Sequence, residues 1–354
     1  MTPDQQRQKI VKRERWIKLT IVAVILISAL VVLLAIPGML VSFLIAFVIT
    51  YLFKPPVNYL ERMGVGRTIA ILIPFIVLGG IIATSSSILI PKAADQISAL
   101  QLELPKYIKG VSDITIRHTK KFNSALSQFS SVNLSEKIEL WLQGASGSLL
   151  ISIPNWVTQL FTTMILAPFF AFFMLRDGRE ISRQLLGFVP NHLFELSLNL
   201  MYQINQQLGG FIRARLLESV IVGVVVWLGL SIMGFPYSAI LAVFAGLTNL
   251  IPYIGPIIGA VPAIIVAMVN QEGGTSTIAL VGLVYLIAQI VDMLVIIPLV
   301  IAKIVDLHPV TVVIVIITGG QFMGVLGMII SIPVASIIKL TFTVFYNHVV
   351  DFRS

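Results

Sequence analysis

The sequence predicts an all-α membrane protein with about eight membrane segments, two of them broken or re-entrant. Three observations predict it. Hydrophobic residues make up 57% of the chain and charged residues 11%, against roughly 25% charged in a soluble domain. Apolar runs long enough to cross a bilayer recur along the chain, with basic clusters at their ends. The apolar run 237–269 is 33 residues long, yet it is interrupted at Asn249-Leu-Ile-Pro-Tyr-Ile-Gly-Pro256, where a simple span would be deepest. Pro252 and Pro256 each remove a backbone donor and crowd the preceding turn. Non-helical backbone at that depth survives only when buried in protein or lining a wet cavity.

Taken in order, Arg7, Lys9, Lys12, Arg13, Arg15 and Lys18 precede the apolar stretch Ile21 to Ile36. A cleaved signal would end in a small-residue site. Here Pro37-Gly38 instead reads as a turn into a second run, so the N-terminus is expected to be retained and cytoplasmic. The first spans are expected at 17–36, 39–53 and 68–90, the last closed by Pro91, which gives an N-terminal region 1–90. Lys54, Arg62 and Arg67 place the intervening loop inside. Residues 91–147 are polar and mixed in charge, with apolar residues at helical spacing. They predict a small extracytoplasmic insertion of amphipathic helices. The region 148–215 reads as a span over 148–175, then helices along the inner surface after Arg176, Arg179 and Arg183.

The region 216–345 reads as the core, and 346–354 as a cytoplasmic tail. After a span at 217–234, the only charged residues between Val220 and Ile338 are Glu272, Asp292, Lys303 and Asp306. The loop 270–276 lacks Lys and Arg and is expected outside; the loop at Lys303 is expected inside. On that placement 237–269 is a re-entrant hairpin with its tip at Pro252 to Pro256. The alternative is one long kinked span. Residues 309–345 repeat the theme: Pro309 precedes Gly319 as Pro236 precedes Gly246, and Gly320/Gly324 and Pro333 echo Gly255/Gly259 and Pro262. Paired broken helices in inverted halves are a transporter construction.

Asp292 is the outstanding side chain, an acid in a span otherwise free of charge. An ionised Asp near mid-bilayer costs ~2.5–3.5 kcal/mol on insertion scales, so it calls for a partner, a cavity or an ion path. Gln289 shares its helical face. Asn249 and Tyr253 at the first break, and Gln321 at the second, could contact solute or satisfy backbone groups freed by the breaks. Pro252, Gly255, Pro256, Gly319, Gly320 and Gly324 form the breaks themselves. Arg213, Arg215 and Glu218 at the mouth of the fifth span read as snorkelling anchors or as a cytoplasmic gate.

Other chemistries are excluded. The chain has no Cys, hence no disulfide and no thiolate chemistry. Its four His residues lack metal-ligand spacing, and neither a P-loop nor an H-E-x-x-H motif is present. No enzymatic activity, cofactor or metal is expected. The excess of basic residues flanks apolar spans and implies a lipid bilayer, not nucleic acid, as partner. The residues support a secondary transporter of a small polar solute or of cations and protons. A reading of another class is a membrane scaffold whose 91–147 insertion binds an envelope partner.

Asn249 to Pro256 with Pro262, Asp292 to Pro298, Asp306-Leu-His-Pro309, Gly319-Gly320, Gly324, Gly327 and Pro333 together resemble the autoinducer-2 exporter-like family of bacterial membrane proteins. The resemblance implies a homo-oligomeric inner-membrane transporter that exports the signal autoinducer-2 or, in some members, exchanges sodium for protons. One departure stands: many relatives carry a Gly-Gln pair where this chain has Ala214-Arg215, so that Gln is not carried over.

Overall fold

The computed structural model describes residues 38–126, 162–270, 274–294 and 307–351, preceded by 20, 21, 24, 27, 28 and 31–36. Among the described residues there is no strand. The helices are α1 (Met39–Arg62), α2 (Arg67–Leu126), α3 over 162–187, α4 (Phe194–Ile232), α5 (Ser238–Thr248), α6 (Ile254–Asn270), α7 (Gly274–Val291) and α8 (Pro309–Asp351). A short 3₁₀ turn, Asn191–Leu193, leads into α4.

Among the described residues, five segments are long and apolar enough to cross a bilayer: Met39–Arg62, Arg67–Thr84, Phe194–Ile232, Ser276–Leu294 and Pro309–Asn347. The expected eight segments are not reached among the described residues, because much of 17–36 and 148–175 lies outside them. So do residues 127–147 of the insertion and the end of 277–300.

Several expected boundaries move. The helix expected over 39–53 continues through Pro55 and Pro56 to Arg62. Pro91 does not close the third span; α2 runs 60 residues to Leu126. The surface helix near 193–208 and the span after 217 are one helix, α4. The first two share a reason. A proline forfeits one helical bond and crowds one turn, whereas ending a helix orphans up to four carbonyls and four amides.

The chain forms two compact units. In the first, α1 and the start of α2 bury Phe53, Val57, Ala70 and Ile71 with Leu175 of α3. Ala46, Ala167 and Ala171 let α1 and α3 approach closely. Arg67 donates to the carbonyls of Arg176 (2.9 Å) and Leu175, both in the middle of α3, and it pairs with Glu61 at 3.0 Å.

The second unit is built around α5 and α6, which form an antiparallel helical hairpin. Its core joins Leu241, Ala242 and Ala245 to Ala263, Val266 and Ala267, and adds Val226 and Leu230 of α4 and Val281 and Val284 of α7. Glycines set the spacing. A Cβ on Gly259 would lie 3.1 Å from Ala245 Cα, and one on Gly255 would run into the Thr248 carbonyl. On the other side, Ser219 Oγ of α4 donates to the Gly246 carbonyl at 2.7 Å. The open end of the hairpin is tied together by Tyr107 of α2. Its hydroxyl, which donates to Glu103 Oε2 at 2.9 Å, also lies 3.3 Å from Asn270 Oδ1, and its ring meets Tyr237 edge-on at 6.4 Å.

The second broken segment also folds back. Met323 (φ −138°, ψ 17°) and Gly324 (φ 59°, ψ −141°) are non-helical within α8. A Cβ on Gly319 would meet Ser331 Cβ at 2.8 Å as well as the Gly327 carbonyl. In a continuous helix residues 12 apart are separated by about 18 Å. Pro309–Asn347 is therefore two antiparallel arms, not one straight span.

Candidate functional site

A cavity of about 500 Å³ opens in the second unit where α4, the α5/α6 break and α7 meet. Each wall has a local cause. Asn249 terminates α5 in right-handed geometry, its amide still bonded to the Ala245 carbonyl at 3.0 Å. Pro252 cannot continue that ladder, and the chain turns through short bonds from Ile251 to Thr248 (2.9 Å) and from Ile254 to Pro252 (2.7 Å). Tyr253, at the tip, has φ 63°. For a bulky side chain that conformation costs of order 1–3 kcal/mol and marks a constrained site. Its ring is largely exposed at the cavity, beside Pro252 and Pro256.

From α4, Arg215 and Glu218 reach the cavity one turn apart. Arg215 Nη1 donates to both Glu218 oxygens, at 2.5 and 2.7 Å. The two side chains are 13% and 2% exposed, so neither snorkels to an interface. Asn249 Nδ2 lies 3.4 Å from Glu218 Oε1 and adds a third hydrogen bond. From α7 come Tyr285, Gln289 and Asp292, at spacings of four and three along one helical face. Asp292 is 4% exposed, and its carboxyl is close enough to Glu218 to interact directly. At Asp292–Leu294 the helix widens into a π turn, a feature that recurs at functional sites. Asp292 Oδ1 and the Tyr285 hydroxyl are buried without a hydrogen-bond partner among the described residues.

Charge counting shows what this arrangement can do. One guanidinium and two carboxylates carry a net negative charge when both acids are ionised. Burying an uncompensated charge is costly. One proton or one monovalent cation restores neutrality, and Asp292 Oδ1, unbonded among the described residues, is the oxygen available to it. No group of three or more His, Cys, Asp or Glu suited to a metal ion occurs among the described residues.

The sequence-derived candidates divide accordingly. Asp292, Gln289, Asn249, Tyr253, Pro252 and Pro256 line this cavity, with Arg215 and Glu218. Gly255 is buried directly behind the break. Arg213 and Gln321 are not among the lining residues; Gln321 is exposed, two residues before the turn of the second hairpin. Gly319, Gly320 and Gly324 belong to that hairpin. Sequence reasoning missed Tyr285. The available signal was its spacing from Gln289 and Asp292, which repeats the stripe of one helix face.

Long apolar helices, a helical hairpin broken at a buried charged cavity and an acid at its wall define a multi-pass membrane transporter. The chain belongs to the AI-2E family of transporters: the family model described as "AI-2E family transporter" matches residues 19–347. Among similar proteins, "Putative transport protein YueF" of Bacillus subtilis (strain 168) is 30% identical over 306 residues, covering 84% of this chain and 82% of that protein. "Putative permease PerM" of Escherichia coli (strain K12) is 28% identical over 319 residues, covering 89% and 90%.

Proposed function

We propose that this chain is an ion-coupled secondary transporter that exports a small polar solute of the autoinducer-2 kind, and that Arg215, Glu218 and Asp292 form its coupling site. The observation that carries the reading is the buried acid pair facing one arginine at the wall of the cavity, with an Asp292 oxygen that has no hydrogen-bond partner among the described residues. Gln289, Asn249 and Tyr253 supply uncharged donors and acceptors for a polar solute beside the ion. The same oxygen favours a second reading, exchange of a monovalent cation for protons, because binding one and releasing the other leaves the charge of the site unchanged.

The proposed placement is a bacterial inner membrane with both termini in the cytoplasm. The α5/α6 hairpin enters from outside and returns there; the α8 hairpin does the same from inside. Two features support this. Arms of 11 and 17 residues are each shorter than the ~20 residues a span needs. Tyr107 holds the two ends of the first hairpin together.

Purified parent and Asp292→Asn, reconstituted into liposomes with an internal pH dye, test the function. An imposed sodium or potassium gradient should move protons in the parent, with at least a tenfold loss in the variant. Exchange carried equally by both proteins removes Asp292 from the mechanism. No proton movement in either, with correct insertion, directs the assay to labelled small polar metabolites; their absence as substrates would leave the scaffold reading standing.

A further inference from the structure

Residues 80–126 of α2 lie in the second unit together with the α5/α6 hairpin. One face of this helix runs along the base of the hairpin. Leu100, Glu103, Tyr107 and Gly110 recur at spacings of three, four and three, the stripe of a helix laid against a partner. Leu100 packs on the apolar core of the unit, and Tyr107, 4% exposed, is part of that core. At Gly110 the helices touch. A Cβ there would lie 2.6 and 2.9 Å from the two methyl groups of Val269 and 3.3 Å from its Cβ.

These contacts reach both ends of the hairpin. Before α5, Tyr237 is buried at φ 59° with the Tyr107 ring edge-on to it. At the end of α6, Lys106 Nζ donates to Asn270 Oδ1 at 3.0 Å, beside the Tyr107 hydroxyl. The far end of the hairpin carries Asn249, Pro252, Tyr253 and Pro256, which line the Asp292 cavity. The 17 residues of α6 make a lever about 25 Å long. A tilt of a few degrees at its base therefore shifts the cavity wall by roughly an ångström. The Asn249–Glu218 bond, at 3.4 Å, is already long and has no slack for such a shift.

Contacts that open readily are poor in buried apolar groups and rich in solvated bonds. This one has a buried aromatic pair and two helices in methyl contact at Gly110; only its edge, Glu103 and Lys106, is half-exposed. We infer that the Leu100–Gly110 face of α2 is a brace that keeps the hairpin closed at its base while the protein works, and that Tyr107 is a positioning residue for the Asp292 cavity. The brace rests on the packing alone; its effect on flux rests on the transport reading.

The test uses the full chain, which has no Cys of its own. Gly110→Cys with Val269→Cys places two thiols at a Cβ separation close to the ~3.5–4.5 Å of a disulfide. The bond should form on mild oxidation, read as loss of both maleimide-reactive thiols, and cation-driven proton flux in liposomes should match the parent. Flux lost on oxidation and recovered with dithiothreitol overturns the brace, because the contact would then have to open. Lys106→Met with Tyr107→Leu cuts the ties to Asn270 and Tyr237 and should lower flux on the order of tenfold. Adding the oxidised Cys pair to that variant should restore flux. No loss, or a loss that the disulfide does not repair, overturns the positioning role. Spin labels at Val224→Cys of α4 and Val261→Cys of α6, both 47% exposed, read the hairpin without transport. They should give one narrow distance in the parent and a broadened one in Lys106→Met with Tyr107→Leu. Equal widths, or no disulfide between positions 110 and 269, overturn the brace. Broadening in a protein that moves no protons removes the transport reading and leaves the brace standing.

Discussion

At the scale of single residues the centre of the protein is an imbalance of charge. Arg215 holds Glu218 with two short hydrogen bonds and acts electrostatically on Asp292, whose Oδ1 has no hydrogen-bond partner among the described residues. The Tyr285 hydroxyl is in the same position, buried and without a hydrogen-bond partner among the described residues. An unsatisfied buried polar group costs about 1–3 kcal/mol, so removing it should not harm the fold. Tyr285→Phe is expected to unfold at the parent's temperature or slightly above, by up to about 1 kcal/mol, while coupled transport falls. Thermal unfolding and liposome flux measured on one preparation separate the two effects. A loss of stability without a change in flux would make Tyr285 a structural residue. Asp292 was legible in the sequence because an acid within an apolar run has no bland explanation of equal weight. Arg215 and Glu218 were legible only as snorkelling anchors or a cytoplasmic gate, because at the end of a span the same residues usually reach back to water; their burial at the Asp292 cavity is seen only in the structure.

At the scale of elements, glycines decide where helices fold back. Gly255 lies against the Thr248 carbonyl so closely that no Cβ fits, whereas Gly282 on α7 has nothing within 4 Å of the position a Cβ would take. Gly255→Ala should therefore cost about 3 kcal/mol through forced separation of α5 and α6. Gly282→Ala should gain about 0.5–1 kcal/mol from helix propensity. Unfolding temperatures in one detergent check the pair, and a Gly255→Ala protein as stable as the parent would contradict the hairpin packing. The break at Asn249 to Pro256 could be read directly from its prolines. The break in α8 was legible only as an echo in its glycines, Gly319, Gly320 and Gly324, because its turn at Met323–Gly324 contains no proline. What fixes it is the contact of Gly319 with Gly327 and Ser331, a pairing invisible to local pattern. The prolines within α1 and α2 mislead in the opposite sense, since a helix with much to lose at its ends runs through them.

At the scale of the whole molecule, the absence of Cys gives a clean route to topology. Thr275→Cys, just past the first hairpin, should react in intact cells with a membrane-impermeant thiol reagent. His308→Cys, before the second hairpin, should react only after permeabilisation. Reaction of both from outside would place the two loops on one side and refute opposed hairpins. Reaction of neither residue until permeabilisation would turn the first hairpin inward.

Composition and run length alone determined that lipid is the solvent of this protein, because only a chain burying its own backbone bonds in helices can carry so much apolar surface. The proline-rich break and the lone acid at Asp292 determined in outline where to look for a site. Tertiary structure decided that Arg215, Glu218, Asn249, Tyr285 and Asp292, spread over 78 positions of sequence, share one cavity. It also decided that each broken segment doubles back. Both are matters of close approach between distant helices, governed by which small residues meet. That pairing is a property of packed surfaces and has no local signature in the chain.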